Sequence, residues 1–294
     1  MKEVKVQRNQ KDTIFRMLFR EKENLLSLYN AVNKTSYADT EDLEITTLEN
    51  AVYMNYKNDV SFVFDFQLML YEHQSTVNLN MPLRDLFYVT DVLQGRTWNE
   101  DLYSQTLVKI PAPKFVVFYN GVDLQPEQLT LKLSDAFEKK QEQPELELTV
   151  TVYNINLGYN AELLETCRVL KEYAQYVAQV RAFAKDRPFI KGVEEAVDHC
   201  IREGILAEFL SKNRAEAIAV SIYEYDEERH MKTVRQEGRE EGRQEGRQEG
   251  RKEGEDKTVQ LFQKLMDDKR DEDLKRALSD QEYRKKLYRE YGIE

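Results

Sequence analysis

The sequence predicts an α/β layered domain followed by an α-helical C-terminal extension, and three observations carry that expectation. Strand-like and helix-like patterns interleave up to about residue 184. Pro188 marks a boundary, and beyond it the patterns are helical. Charged residues make up 33% of the 294 residues and the formal net charge is -11, a composition that calls for a solvated helical or extended part beside a packed one.

The elements follow in order. Residues 12–33 place Ile14, Phe15, Leu18, Phe19, Leu25, Leu26, Leu28 and Tyr29 at helical spacing, with Asp12 as the expected N-cap, so one or two helices form there. Residues 45–55 and 58–74 read as strands. Residues 81–94 read as a helix with Pro82 in its first turn and Gly95 just past its end. "KFVVFYNG", 114–121, is a short buried strand ending in an Asn-Gly turn, and "LELTVTVYNIN", 146–156, alternates as a further strand. One long amphipathic helix is expected over 161–184. Residues 189–229 are helical with breaks at Gly192 and Gly204, and 256–290 form a short charged helical tail. The implied divisions are 1–187, 188–230, 231–256 and 257–294.

Composition narrows the setting. An acidic chain does not bind nucleic acid over its whole surface by charge alone, although a local basic groove or a bound metal remains open. The two cysteines, Cys167 and Cys200, stand in no CxxC or Cys/His cluster, so neither a zinc site nor a disulfide framework is expected and a reducing, cytoplasmic setting is. The opening "MKEVKVQRNQKD" has no apolar signal region, and no stretch reads as a membrane span.

Residues 235–254 repeat Arg-x-Glu-Gly five times. Each Gly costs about 1 kcal/mol against Ala in a helix, and the i,i+4 pairs are like-signed, which weakens a lone helix. The segment therefore reads as a partly ordered linker or a coiled segment. Period four also stacks the glycines into a winding stripe along which two helices can approach, so a homodimer is the corresponding expectation.

The chemistry-bearing stretch is 58–74. "NDVSFVF" and "QLMLYEHQ" form a hairpin if Asp65-Phe66 is a two-residue turn. Phe64 then pairs with Gln67, Val63 with Leu68, Ser61 with Leu70, and Asp59 stands opposite Glu72. Gln74 shares the Glu72 face and His73 points to the other. Two opposed carboxylates repel unless a proton or cation lies between them. A hard divalent cation, Mg²⁺ first, suits such oxygens, with the main-chain carbonyl of His73 as an added ligand and Gln74 placed to hold a water or a phosphate oxygen. The bland reading is a pair of solvated strand carboxylates. Asp65-x-Gln67 is a rival acidic dyad, though Asp is expected at a turn for backbone reasons. His73 reads as packed or surface histidine, His199 and His230 have no partner in view, and Cys167 reads as core.

Strand-Asp59, turn, strand-Glu72-x-Gln74, then a helix with Arg84 and Tyr88, resembles the PD-(D/E)xK nuclease superfamily. In particular it resembles the Rpn-type recombination-promoting, transposase-like nucleases. "DTIFRMLF", "NLLSLYNAVN", "KNDVSFVF…LYEHQSTVNLNMPLRDLFYVTDVL", "KFVVFYNG" and the Glu-Gly-Arg repeats carry the likeness over roughly residues 11–255. The resemblance implies a restriction-endonuclease-like core, a central mixed sheet flanked by helices, and Mg²⁺-dependent cleavage of DNA, with Mn²⁺ as a substitute and no small-molecule cofactor. It makes Asp59 and Glu72 the metal-binding acids and puts Gln74 in the place of the motif lysine. It makes Arg84 and Tyr88, on one helix face, the phosphate contacts. An amide cannot supply the lysine's charge, so the alternative is a nuclease-fold protein of weak or no activity that binds DNA or protein, or drives assembly.

Overall fold

A computed structural model describes residues 13–46, 59–185 and 187–293. Its elements are α1 (Ile14–Phe19), α2 (Lys22–Asn33), β1 (Glu44–Ile45), β2 (Val60–Phe64), β3 (Gln67–Gln74), α3 (Met81–Arg96), β4 (Ala112–Tyr119), β5 (Gln128–Lys132) and β6 (Thr149–Asn154). These are followed by α4 (Ala161–Thr166), α5 (Arg168–Lys185), α6 (Phe189–Glu203), α7 (Ala207–Lys212), α8 (Arg214–Asp267), α9 (Asp271–Ser279) and α10 (Gln281–Glu290). The six strands make one mixed sheet in the order β1-β2-β3-β4-β6-β5. β3, β4 and β6 run parallel, and β1, β2 and β5 pair antiparallel to their neighbours. The α/β class with a helical C-terminal region is thus what the chain forms.

Alternation along the strands separates two apolar layers. Phe62, Phe64, Met69, Tyr71, Val116 and Phe118 face one core with residues of α1, α2, α5 and α6. Leu68, Leu70, Phe115, Val117, Val150 and Val152 face the other with Met81, Tyr88, Val89 and Val92 of α3. Burying both faces is the condition for the near-continuous apolar runs of β3 and β4. The first core extends to Val193, Ala196, Val197 and Cys200 of α6 and to Ala217 and Val220 of α8. The chain divides into two compact units, 1–226 and 227–294. The second holds its own small core of Leu261, Leu265, Ala277 and Leu287.

The hairpin register is the expected one: Phe64 pairs with Gln67, Val63 with Leu68 and Ser61 with Leu70. Asp65 and Phe66 take φ of 47° and 59°, the two positive values that a tight hairpin turn requires. Neither is glycine, so the turn is strained, and Tyr37 Oη donates to Asp65 Oδ2 at 2.7 Å to help hold it.

Several expectations change. The cap of α1 is Thr13, whose Oγ1 accepts from Arg16 N at 3.1 Å, while Asp12 lies outside the described residues. Most of the strand expected over 45–55 also lies outside them; β1 begins at Glu44. Gly95 falls inside α3, which ends at Arg96 with the Thr97 N–H on the Leu93 carbonyl. Asn120-Gly121 forms no tight turn; the chain bends at Val122-Asp123. Gly121 is needed for close approach instead, since a Cβ there would lie 1.9 Å from the Ser75 carbonyl oxygen. The helix expected over 161–184 is two helices, broken at buried Cys167, whose φ of -110° and ψ of 93° are extended. Gly192 breaks nothing: it lies within α6, where a Cβ would meet the Phe183 carbonyl of α5 at 2.7 Å. Gly204 does end α6, in the left-handed conformation. The Arg-x-Glu-Gly repeat is helical throughout, inside α8. Helix nucleation is the costly step, and α8 is packed through Ala217 and Val220 before the repeat and through Leu261 and Leu265 after it, so the repeat only has to propagate. β5 is a strand beyond those that the periodicity predicts. No helix among the described residues is long and apolar enough to cross a membrane.

Candidate active site at the end of the β2–β3 hairpin

Asp59 immediately precedes β2, and Glu72 and Gln74 end β3, so the hairpin register brings all three to one end of the sheet. The Asp59 N–H donates to Glu72 Oε2 at 3.2 Å, and the His73 N–H donates to Asp59 Oδ2 at 2.7 Å. These two bonds extend the hairpin ladder through side chains and fix each carboxylate against the other strand. Arg84, one turn into α3, donates from Nη2 to Glu72 Oε1 at 3.1 Å. The Glu72 and Arg84 side chains are 10% and 25% exposed, so the pair is poorly screened by water. Arg84 Nε is buried without a hydrogen-bond partner.

The electrostatics follow from this geometry. Burial pushes the Glu72 carboxyl well above the usual carboxylate range. The neighbouring charge of Asp59 raises it further, while Arg84 offsets part of the shift. Asp85, also buried, is pushed up to about 7 by burial, again against the pull of Arg84. Asp85 was not singled out in the sequence, where it reads as an ordinary polar position of an amphipathic helix. Its charge nevertheless reaches Glu72.

The remaining expected residues are placed as follows. Gln74 is buried: its Nε2 lies 2.7 Å from Met81 Sδ and its Oε1 accepts from the Asn78 N–H at 3.3 Å. Tyr88 is 3% exposed within the layer between α3 and the sheet, and its hydroxyl meets Ser61 Oγ at 3.1 Å. It shares the α3 side with Arg84 but is held inside the layer. His73 points to the opposite face, where Nε2 meets Tyr173 Oη at 3.0 Å and the ring stacks on Phe15. Burial, and then the charge of Arg181, push its imidazole down to about 3, so it is neutral. Asp65 sits at the turn and binds Tyr37 rather than joining the site. His199 packs on the Phe183 ring, and the His230 side chain lies outside the described residues.

Two carboxylates, one guanidinium and a buried amide therefore meet at one end of the sheet. Among the described residues no group of three His, Cys, Asp or Glu side chains is placed to hold a metal ion, so a cation here would need main-chain or solvent oxygens beside the acidic pair. Comparison of the chain with protein-family models, with curated proteins and with solved structures finds no match.

Proposed function

We propose that this chain is a Mg²⁺-dependent nuclease of the PD-(D/E)xK type, with a restriction-endonuclease-like core, that hydrolyses DNA phosphodiester bonds. The observation that carries the reading is the pairing of Asp59 with Glu72 across the hairpin end, with Arg84 of α3 on the same carboxylate.

The acidic pair fits a divalent cation on its own chemistry. Burial and mutual repulsion make a doubly ionised Asp59–Glu72 pair costly, and a hard cation with oxygen ligands relieves both. Asp59, Glu72 and the His73 carbonyl would hold it. When bound, Mg²⁺ supplies Lewis-acid polarisation of a phosphoryl oxygen and acidifies water. The chain's own groups do the rest. The His73 N–H and the Asp59 N–H orient the two carboxylates. Arg84 offsets part of the rise that burial imposes on the Glu72 carboxyl and offers guanidinium N–H groups to phosphate oxygens, which positions the backbone without reading sequence. Gln74 supplies a polar amide where the motif lysine would stand. Tyr88, through Ser61, braces the layer under the site.

One observation favours the second reading, a nuclease-fold binding module with little turnover. Both ends of the Gln74 amide are already engaged, by Met81 and Asn78. The two readings part in one experiment: calorimetric titration with Mg²⁺ or Mn²⁺ beside hydrolysis of a labelled DNA duplex. Metal binding with hydrolysis supports the nuclease. Metal or DNA binding without hydrolysis supports the module, and absence of both removes the site.

A further inference from the structure

Arg181 of α5 reaches the same end of the sheet from the layer opposite α3. Its Nη1 donates to Asn120 Oδ1 at 3.1 Å, and its Nη2 donates to the Asn120 main-chain oxygen. Asn120 is 1% exposed and directly follows β4. Its own N–H donates to the Gln74 carbonyl at 3.0 Å. On one side, Gly121 packs so tightly on Ser75 that no side chain fits. On the other, Asn156 Nδ2 donates to the Gly121 oxygen at 3.0 Å. The last residues of β3 therefore have their main chain fixed by a segment that Arg181 grips with two nitrogens.

We propose that Arg181 is a positioning residue for the acidic pair: its two-pronged clamp on Asn120 fixes the end of β3 from which Glu72, His73 and Gln74 project. The chemical consequence rests on the nuclease reading, while the clamp itself does not. A planar guanidinium meets two acceptors of one residue at once, whereas a lysine ammonium offers a point charge without that fork. Main-chain support matters at this place because Asp59 is oriented by the His73 N–H, one residue before Gln74, so a shift of the strand end moves the donor that holds the first acid.

The test uses the full chain with Arg181→Gln, which removes fork and charge, and Arg181→Lys, the milder change that removes the fork alone. Two quantities are read: hydrogen exchange of the Asn120 amide, and Mg²⁺-dependent cleavage of a DNA duplex. Both variants are expected to speed Asn120 exchange while the β2–β3 ladder amides keep their protection. Both should lower kcat by about 10–100-fold, the usual effect of losing a group that orients a metal ligand, with KM little changed. Unchanged Asn120 exchange beside an active wild type overturns the clamp and leaves the nuclease reading standing. Faster exchange with undiminished cleavage overturns the positioning role, and so does wild-type behaviour of Arg181→Lys. A wild type that binds metal but cleaves nothing, with exchange responding as expected, overturns the nuclease reading and with it the positioning role, and leaves only the clamp.

Discussion

Burial of acids decides the chemistry at the residue scale. Asp85 has its carboxyl pushed up to about 7 by burial, and Glu72 is raised in the same direction. A carboxyl whose folded pKa lies above its unfolded value contributes stability below the unfolded value and loses it as pH rises through the folded one. The metal-free protein should therefore lose stability from these two groups between about pH 4 and the raised values. Asp85→Asn removes that dependence, so the variant should match wild type near pH 4 and exceed it at pH 8 by on the order of a few kcal/mol. Urea midpoints at the two pH values check this, and a variant less stable at pH 8 would show that the Asp85 charge is used rather than tolerated. Gln74 gives a second prediction. If its amide acts on substrate or water, Gln74→Ala loses about a hundredfold in single-turnover cleavage, and Gln74→Lys keeps or raises the rate. Indifference to both would confine Gln74 to packing against Met81. Asp59, Glu72 and Gln74 were legible in the sequence because the hairpin register follows from alternation and a two-residue turn. Asp85, Asn120 and Arg181 were not, because their roles come from burial and from contacts across layers: Arg181 meets Asn120 over 61 positions of chain.

Glycine separates packing from propensity at the scale of elements. In the sequence Gly192 reads as a break in a helical pattern, and the repeat glycines read as a cost of about 1 kcal/mol each to a helix. In the fold, Gly192 lets α6 approach the α5 main chain, whereas Gly242, Gly246 and Gly250 of α8 have nothing within 4 Å of an added Cβ. Gly246→Ala should raise helix stability by about 1 kcal/mol. Gly192→Ala should destabilise the first unit by about 1–3 kcal/mol, since the obstructing atoms are main chain. Thermal melts of the two variants check the opposite signs. Two features of the fold leave little trace in the sequence pattern. β5 is a five-residue edge strand with only Leu129 and Leu131 as apolar alternation, too weak to be seen without its neighbour. The break at Cys167 carries no Gly or Pro to announce it.

At the scale of the whole molecule, the acidic pair belongs to the unit spanning 1–226, and the repeat to a helix that continues into 227–294. A peptide covering 231–256 lacks the packed flanks that carry the helix through the repeat, so circular dichroism should find it largely unfolded in high salt. A stable helix would mean that the repeat needs no packed flanks. The α/β class was legible because strand and helix periodicities interleave, and the helical extension because patterning changes after Pro188. The proposal that Asp59 and Glu72 form a metal-dependent hydrolytic site is tested by plasmid nicking with wild type, Asp59→Ala and Glu72→Ala, in Mg²⁺ and in chelator. Wild type should nick only with the metal, and both folded variants should lose nicking. Nicking of wild-type strength by either variant, or nicking that survives the chelator, would contradict it.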